Sequence, residues 1–140
     1  MNSHPLFANN NFAFEQIKKS MKNIGYEEDL LTENYEYADI LGNYKVSSVE
    51  LAGFASIPWS YRNACIGVVT ANGISSQNAV KKHRSLGAPL FFVITENSLE
   101  TWKVTEKGEP TPKETVSHNQ ISNLFQQNAS NWKPDNIFRA

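Results

Sequence analysis

Two uninterrupted apolar segments constrain the fold of this chain more than any other feature of the sequence. The first runs from Asn63 to Thr70, and the second covers Leu90 to Ile94. Apolar runs of this length, without polar alternation, are typical of strands that are covered on both faces in the interior of a parallel or mixed sheet. We therefore expect both segments to be inner strands of one sheet.

The segment between these two strands has the pattern of a short helix. Ser75 or Ser76 can cap a helix that runs from about Gln77 to Leu86, and Gly87 ends it. A strand, a crossover helix and a second strand form a βαβ unit, whose connection is almost always right-handed. This unit is the predicted centre of the fold.

Elements on either side of this unit extend and cover the sheet. Apolar residues that step by three and four from Phe14 to Ile24 predict a helix that stops at Gly25. The other predicted elements are a hairpin of strands Tyr35–Leu41 and Val46–Ser56, a strand Leu99–Val104, a polar loop Glu106–Lys113 and a last helix Asn119–Gln127. The chain therefore has the pattern of an α/β or α+β protein with a single mixed central β-sheet flanked by helices.

The 140 residues correspond to one domain, which spans residues 1–140. Residues 1–11 are polar, and we expect them to be flexible. The chain stops at Ala140 directly after apolar residues, so we expect it to be the N-terminal fragment of a longer protein.

Charge and composition exclude several classes of function. A net charge of −1 excludes a polybasic arm, and a single cysteine excludes a disulfide framework or a cysteine-based metal cluster. Three widely separated histidines do not form a zinc motif. The sequence contains no apolar window that is long enough to span a membrane and no secretion-signal pattern, so we expect a cytoplasmic protein with no membrane partner.

Two acidic residues lie on the predicted hairpin. Asp39 is near the end of its first strand and Glu50 is within the second. Carboxylates on adjacent strands can bind a divalent metal if they face the same side. In the alternative interpretation, Asp39 caps the turn and Glu50 faces solvent.

The predicted element order resembles the αβββαβ core of the PD-(D/E)XK nucleases, in the restriction-endonuclease class of folds. This resemblance implies that two acids hold magnesium and that a lysine polarises the attacking water. The segment Asn63–Val68, at the place of the third core strand, contains neither an acid nor a lysine. The resemblance therefore implies a degenerate nuclease. The alternative is an active magnesium-dependent DNA endonuclease that uses Asp39, Glu50 and Lys45 as catalytic residues, with Asp39 and Glu50 as metal ligands.

Four longer phrases are similar to the N-terminal region of bacterial adenine-specific DNA methyltransferases and restriction-modification proteins. These phrases are Ala64–Val69, His83–Val93, Leu99–Trp102 and Trp132–Ala140. The methylase motifs themselves are absent from the sequence, so the resemblance implies a downstream methyltransferase domain as partner. It does not imply that this chain binds S-adenosylmethionine.

Positive side chains cluster on the predicted central helix. Lys81, Lys82, His83 and Arg84 are contiguous, and Arg62 lies nearby in the predicted sheet. On a surface that faces duplex DNA, each phosphate contact adds to the salt dependence of binding. In the alternative interpretation, this helix face is exposed to solvent without binding DNA, and the His83 side chain is half-buried.

The sequence thus predicts a nuclease-like, catalytically inactive domain that associates with duplex DNA and belongs to a restriction-modification methyltransferase protein. We expect no cofactor in this domain, and magnesium only if nuclease activity is retained. A third possibility is a protein-interaction module without DNA contact, which would use the aromatic tail of Trp132 and Phe138.

Overall fold

One mixed β-sheet organises the computed structural model of this chain, which describes residues 10–26, 31–33, 51–56, 64–71, 74–84, 87–133 and 136–137. Within these residues six strands lie side by side in chain order: β1 (Leu31–Glu33), β2 (Leu51–Ser56), β3 (Ala64–Thr70), β4 (Leu90–Ile94), β5 (Ser98–Val104) and β6 (Pro110–Ser117). β3 and β4 are parallel, and the other described pairs are antiparallel. The predicted α+β class with a mixed sheet is confirmed.

Four α-helices accompany the sheet in the described part of the chain. They are α1 (Asn10–Asn23), α2 (Ser76–Lys82), α3 (Ile121–Gln127) and α4 (Ala129–Trp132), and a 3₁₀ turn (His118–Gln120) precedes α3. No described helix has the length and apolar character needed to cross a lipid bilayer.

The central βαβ unit follows the prediction. β3, α2 and β4 succeed one another, and the Ser75 hydroxyl accepts a hydrogen bond from the Asn78 amide at 3.1 Å, which caps the helix. α2 ends at Lys82 rather than at Leu86, because the backbone of His83 leaves the helical region.

β3 is an inner strand, as the apolar run predicts. It lies between β2 and β4 and is buried from Ile66 to Thr70. Gly67 is required at its position, because a Cβ there would lie 2.5 Å from Cε2 of the buried Phe91 on β4. The strand packs against apolar groups on both faces, which is the environment that a continuous apolar segment needs.

Two hydrophobic cores cover the two faces of the sheet. The first packs β3, β4 and β5 against α1, α3 and α4, and includes Phe92, Phe125 and Trp132. The second packs the opposite face against α2, through Ala79 and Val80. Trp132 is buried and its carbonyl accepts a 2.6 Å hydrogen bond from the Tyr26 hydroxyl, so it is a core residue rather than an exposed interaction surface.

The predicted loop Glu106–Lys113 was wrong in its second half, because the eight-residue strand β6 begins at Pro110 and pairs with β5. β6 is the outermost strand of the described sheet, and Pro112 pairs with Trp102 next to a shift in register. A proline is compatible with a strand at an edge or at a bulge, where its missing N–H breaks no ladder bond. The two prolines therefore do not exclude a strand here.

Other boundaries differ from the prediction near the amino terminus. α1 begins at Asn10, four residues before Phe14, and so includes part of the segment 1–11 that we expected to be flexible. β1 pairs with β2 through Leu31 and Ala55. The predicted strand Tyr35–Leu41 lies outside the described residues.

His118 stabilises the turn between β4 and β5 through hydrogen bonds from its side chain. Its side chain is buried, and Nε2 lies 3.0 Å from the carbonyl oxygens of both Thr95 and Ser98. Since both partners are acceptors, Nε2 carries the proton and donates. We expect His118→Phe to lower the free energy of unfolding by about 1–2 kcal/mol, because the hydrogen bonds from His118 to both carbonyls are lost, although the Ser98 carbonyl still accepts from the Thr95 amide.

Urea denaturation monitored by circular dichroism measures this effect. His118→Gln is the matched variant, since its side-chain amide retains a donor. Equal stability of the Phe variant and the native protein would contradict the role of His118.

Candidate nucleic-acid interface

The structure divides the contiguous basic residues of the central helix. Lys81, Lys82 and Arg84 are exposed, whereas His83 is fully buried. His83 follows the buried residues Ala79 and Val80 by four and three positions, and therefore lies on the same side of the helix, toward the sheet. Arg62 lies outside the described residues.

A cleft brings Arg84 together with two lysines that are distant in sequence. Lys103 on β5 and Lys113 on β6 line a cavity of about 730 Å³ with Arg84, and we call this cavity the basic cleft. The turn between β5 and β6 forms one wall, where Gly108 has a φ of 82°. Glycine adopts this backbone conformation without strain, which allows the tight turn.

The basic cleft has an excess of positive charge, although the chain as a whole has a net charge of −1. Its lining includes three cations and one carboxylate, that of Glu106. The salt bridge between Lys18 and Glu15 lies elsewhere, and no described residue forms an ion pair with Arg84, Lys103 or Lys113. Cations without ionic partners in a concave surface attract anions.

A second, smaller cavity adjoins the basic cleft, and we call it the polar pocket. Its volume is about 350 Å³, and it shares Lys103 and Lys113 with the basic cleft. It lies on the face of the sheet that α3 and α4 cover, and it is also lined by Leu90, Thr101, Glu114, Asn128, Asn131 and Trp132.

Thr101 is the unusual residue of the polar pocket. It is 2% exposed, and its hydroxyl has no hydrogen-bond partner. The alternation of β5 places Thr101 and Lys103 on the face of the first core, while Trp102 packs into the second. Leaving a buried hydroxyl without a partner costs about 1–3 kcal/mol, a cost that a ligand atom can offset.

The predicted catalytic residues Asp39, Lys45 and Glu50 lie outside the described residues. Within the described part of the chain there is no group of three or more His, Cys, Asp or Glu side chains that could hold a metal ion. The magnesium site therefore stays a prediction.

Sequence reasoning missed Lys103, Lys113 and Thr101. Thr101 and Lys103 lie on a strand of ordinary alternation and Lys113 lies in a segment with the composition of a loop, and their proximity arises from strand pairing. Comparison with known proteins does not assign the chain to a family, because no family model, curated protein or solved structure matches it.

Proposed function

We propose that this chain is a DNA-binding domain that contacts the phosphate backbone of duplex DNA through the basic cleft and does not cleave it. The observation that carries the proposal is the convergence of Arg84, Lys103 and Lys113 from three separate elements, with no ion pair to a described residue. Such groups have the charge and hydrogen-bond donors that phosphate oxygens require.

DNA suits this surface better than a small anion does, because the basic cleft and the exposed end of α2 together carry more cations than one phosphate needs. Lys81 and Lys82 are exposed in the last turn of α2, three and two residues before Arg84 in the chain. A backbone with regularly spaced phosphates can occupy several such cations at once, and each contact adds to affinity by releasing counterions.

The resemblance to restriction-modification proteins favours the same function. In this proposal the chain is the nuclease-like, inactive domain of a DNA methyltransferase protein, and its partner is a downstream methyltransferase domain. The absence of acidic and basic residues from β3, Ala64–Thr70, supports the loss of cleavage. In this proposal the domain needs no cofactor of its own.

Duplex binding should weaken steeply with salt. Three phosphate contacts give a slope of log affinity against log salt of about −2.7, and five contacts a slope of about −4.5. Fluorescence anisotropy with a labelled duplex of about 20 base pairs, titrated at several salt concentrations, measures the slope. Absence of binding at the lowest salt, or an affinity independent of salt, would overturn the proposal.

The same preparation tests whether cleavage is absent. We expect supercoiled plasmid to remain intact with magnesium or manganese present. Nicking that disappears in both Asp39→Ala and Glu50→Ala would show instead an active endonuclease.

A further inference from the structure

We infer that the polar pocket binds one nucleotide, with the nucleobase inside the pocket and the phosphate on Lys103 and Lys113. One source of this nucleotide is a strand held along the basic cleft, and for that source the inference rests on the proposed function. A free nucleoside monophosphate has the same chemistry and is the other source.

The unsatisfied hydroxyl of Thr101 is the first observation behind this inference. The side chain is nearly fully buried and lines the pocket, yet its oxygen has no hydrogen-bond partner. Polar groups at such depth are normally paired within the protein or with a bound molecule. A ligand with a hydrogen-bonding edge supplies the partner that the protein lacks.

The other walls of the pocket fit a nucleobase better than they fit an inorganic anion. The buried core residues Leu90 and Trp132 form an apolar floor, and the exposed Glu114 carboxylate is an acceptor for the donors of a base. The Asn128 amide nitrogen is engaged by the Leu124 carbonyl at 2.9 Å, which leaves its side-chain oxygen as an acceptor. Asn131 adds a second amide, so that donors and acceptors surround an apolar floor.

The position of the two lysines determines how a nucleotide lies. Lys103 and Lys113 line both the polar pocket and the basic cleft. A phosphate between them is therefore shared by the two cavities, and its base points into the polar pocket. The volume of about 350 Å³ is within the usual range for small-molecule pockets.

Isothermal titration calorimetry tests the inference directly. The probes are the four deoxynucleoside 5′-monophosphates, the four deoxynucleosides and inorganic phosphate. We expect at least one monophosphate to bind at least tenfold more tightly than phosphate alone. Thr101→Val, which keeps the shape of the side chain and removes the hydroxyl, should weaken that binding by about tenfold.

The matched control is Thr115→Val, since Thr115 is an exposed threonine on the neighbouring strand β6. It should leave nucleotide affinity unchanged. Thermal denaturation of Thr101→Val should show native or higher stability, because the valine leaves no unpaired hydroxyl. Equal affinity of native protein and Thr101→Val, or equal affinity for phosphate and nucleotides, would overturn the inference.

Arg84→Gln separates this inference from the proposed function, since Arg84 lines the basic cleft and not the polar pocket. It should weaken duplex binding and leave mononucleotide binding intact. Nucleotide binding without duplex binding contradicts the proposed function alone, and duplex binding without nucleotide binding contradicts the nucleotide pocket alone.

A single-stranded oligonucleotide identifies the source of the nucleotide. If it competes with the mononucleotide and also loses affinity in Thr101→Val, the source is a strand; otherwise the source is a free nucleotide.

Discussion

Replacing Phe92 with alanine should lower the free energy of unfolding by about 3–5 kcal/mol. Phe92 is fully buried on β4, and its ring centroid lies 5.0 Å from that of Phe125 and 5.1 Å from that of Trp132. The substitution removes apolar contact and two aromatic pairs, and it leaves a cavity between the sheet and α3 and α4.

Phe12→Ala is the matched control for this experiment. Phe12 is on α1 and is 49% exposed, so the same chemical change should cost less than about 1 kcal/mol. Urea denaturation of both variants gives the comparison. Similar losses from the two substitutions would show that Phe92, Phe125 and Trp132 do not hold α3 and α4 against the sheet.

Strand predictions succeeded where the sequence pattern follows from burial alone. The segments that became β3 and β4 have apolar side chains toward both faces, and both faces are covered in the structure. Because this pattern depends only on local composition, it predicts an inner strand without knowledge of the partners. The start of helix α2 was also predictable from the local sequence, because the Ser75 side chain caps it.

Predictions failed where the surrounding structure decides the outcome. The segment Pro110–Ser117 has the composition of a loop, but pairing with β5 at the edge of the described sheet makes it a strand. The sequence offered Trp132 as part of an aromatic tail for protein contacts, yet it lies at the end of α4 and belongs to the first core. The local sequence pattern does not reveal which strand a segment pairs with or which tertiary contacts it makes.

The candidate site was predicted only in part for a similar reason. Lys81, Lys82 and Arg84 were recognised because they lie within four consecutive residues, and they are exposed, as both a DNA-facing surface and a solvated helix face require. Lys103 and Lys113 are ten residues apart and join Arg84 only because β5 and β6 are paired. Convergence of this kind depends on strand register, which the sequence does not reveal before the strands are assigned.

Combined replacement of Arg84, Lys103 and Lys113 by glutamine should nearly abolish binding to duplex DNA. At about 0.1 M salt each phosphate contact contributes roughly eightfold to affinity, so three lost contacts reduce it by roughly 500-fold. The slope of log affinity against log salt should become less negative by about 2.7. Fluorescence anisotropy at several salt concentrations measures both quantities in one titration series.

The matched control places the same loss of three positive charges on α1, through replacement of Lys18, Lys19 and Lys22 by glutamine. None of these three lysines lines the basic cleft or the polar pocket. If net charge alone attracts DNA, both triple variants lose affinity equally and the cleft has no special role. If the cleft positions the phosphates, the α1 variant keeps most of its affinity and nearly the native salt slope, because the contacts that release counterions remain in place.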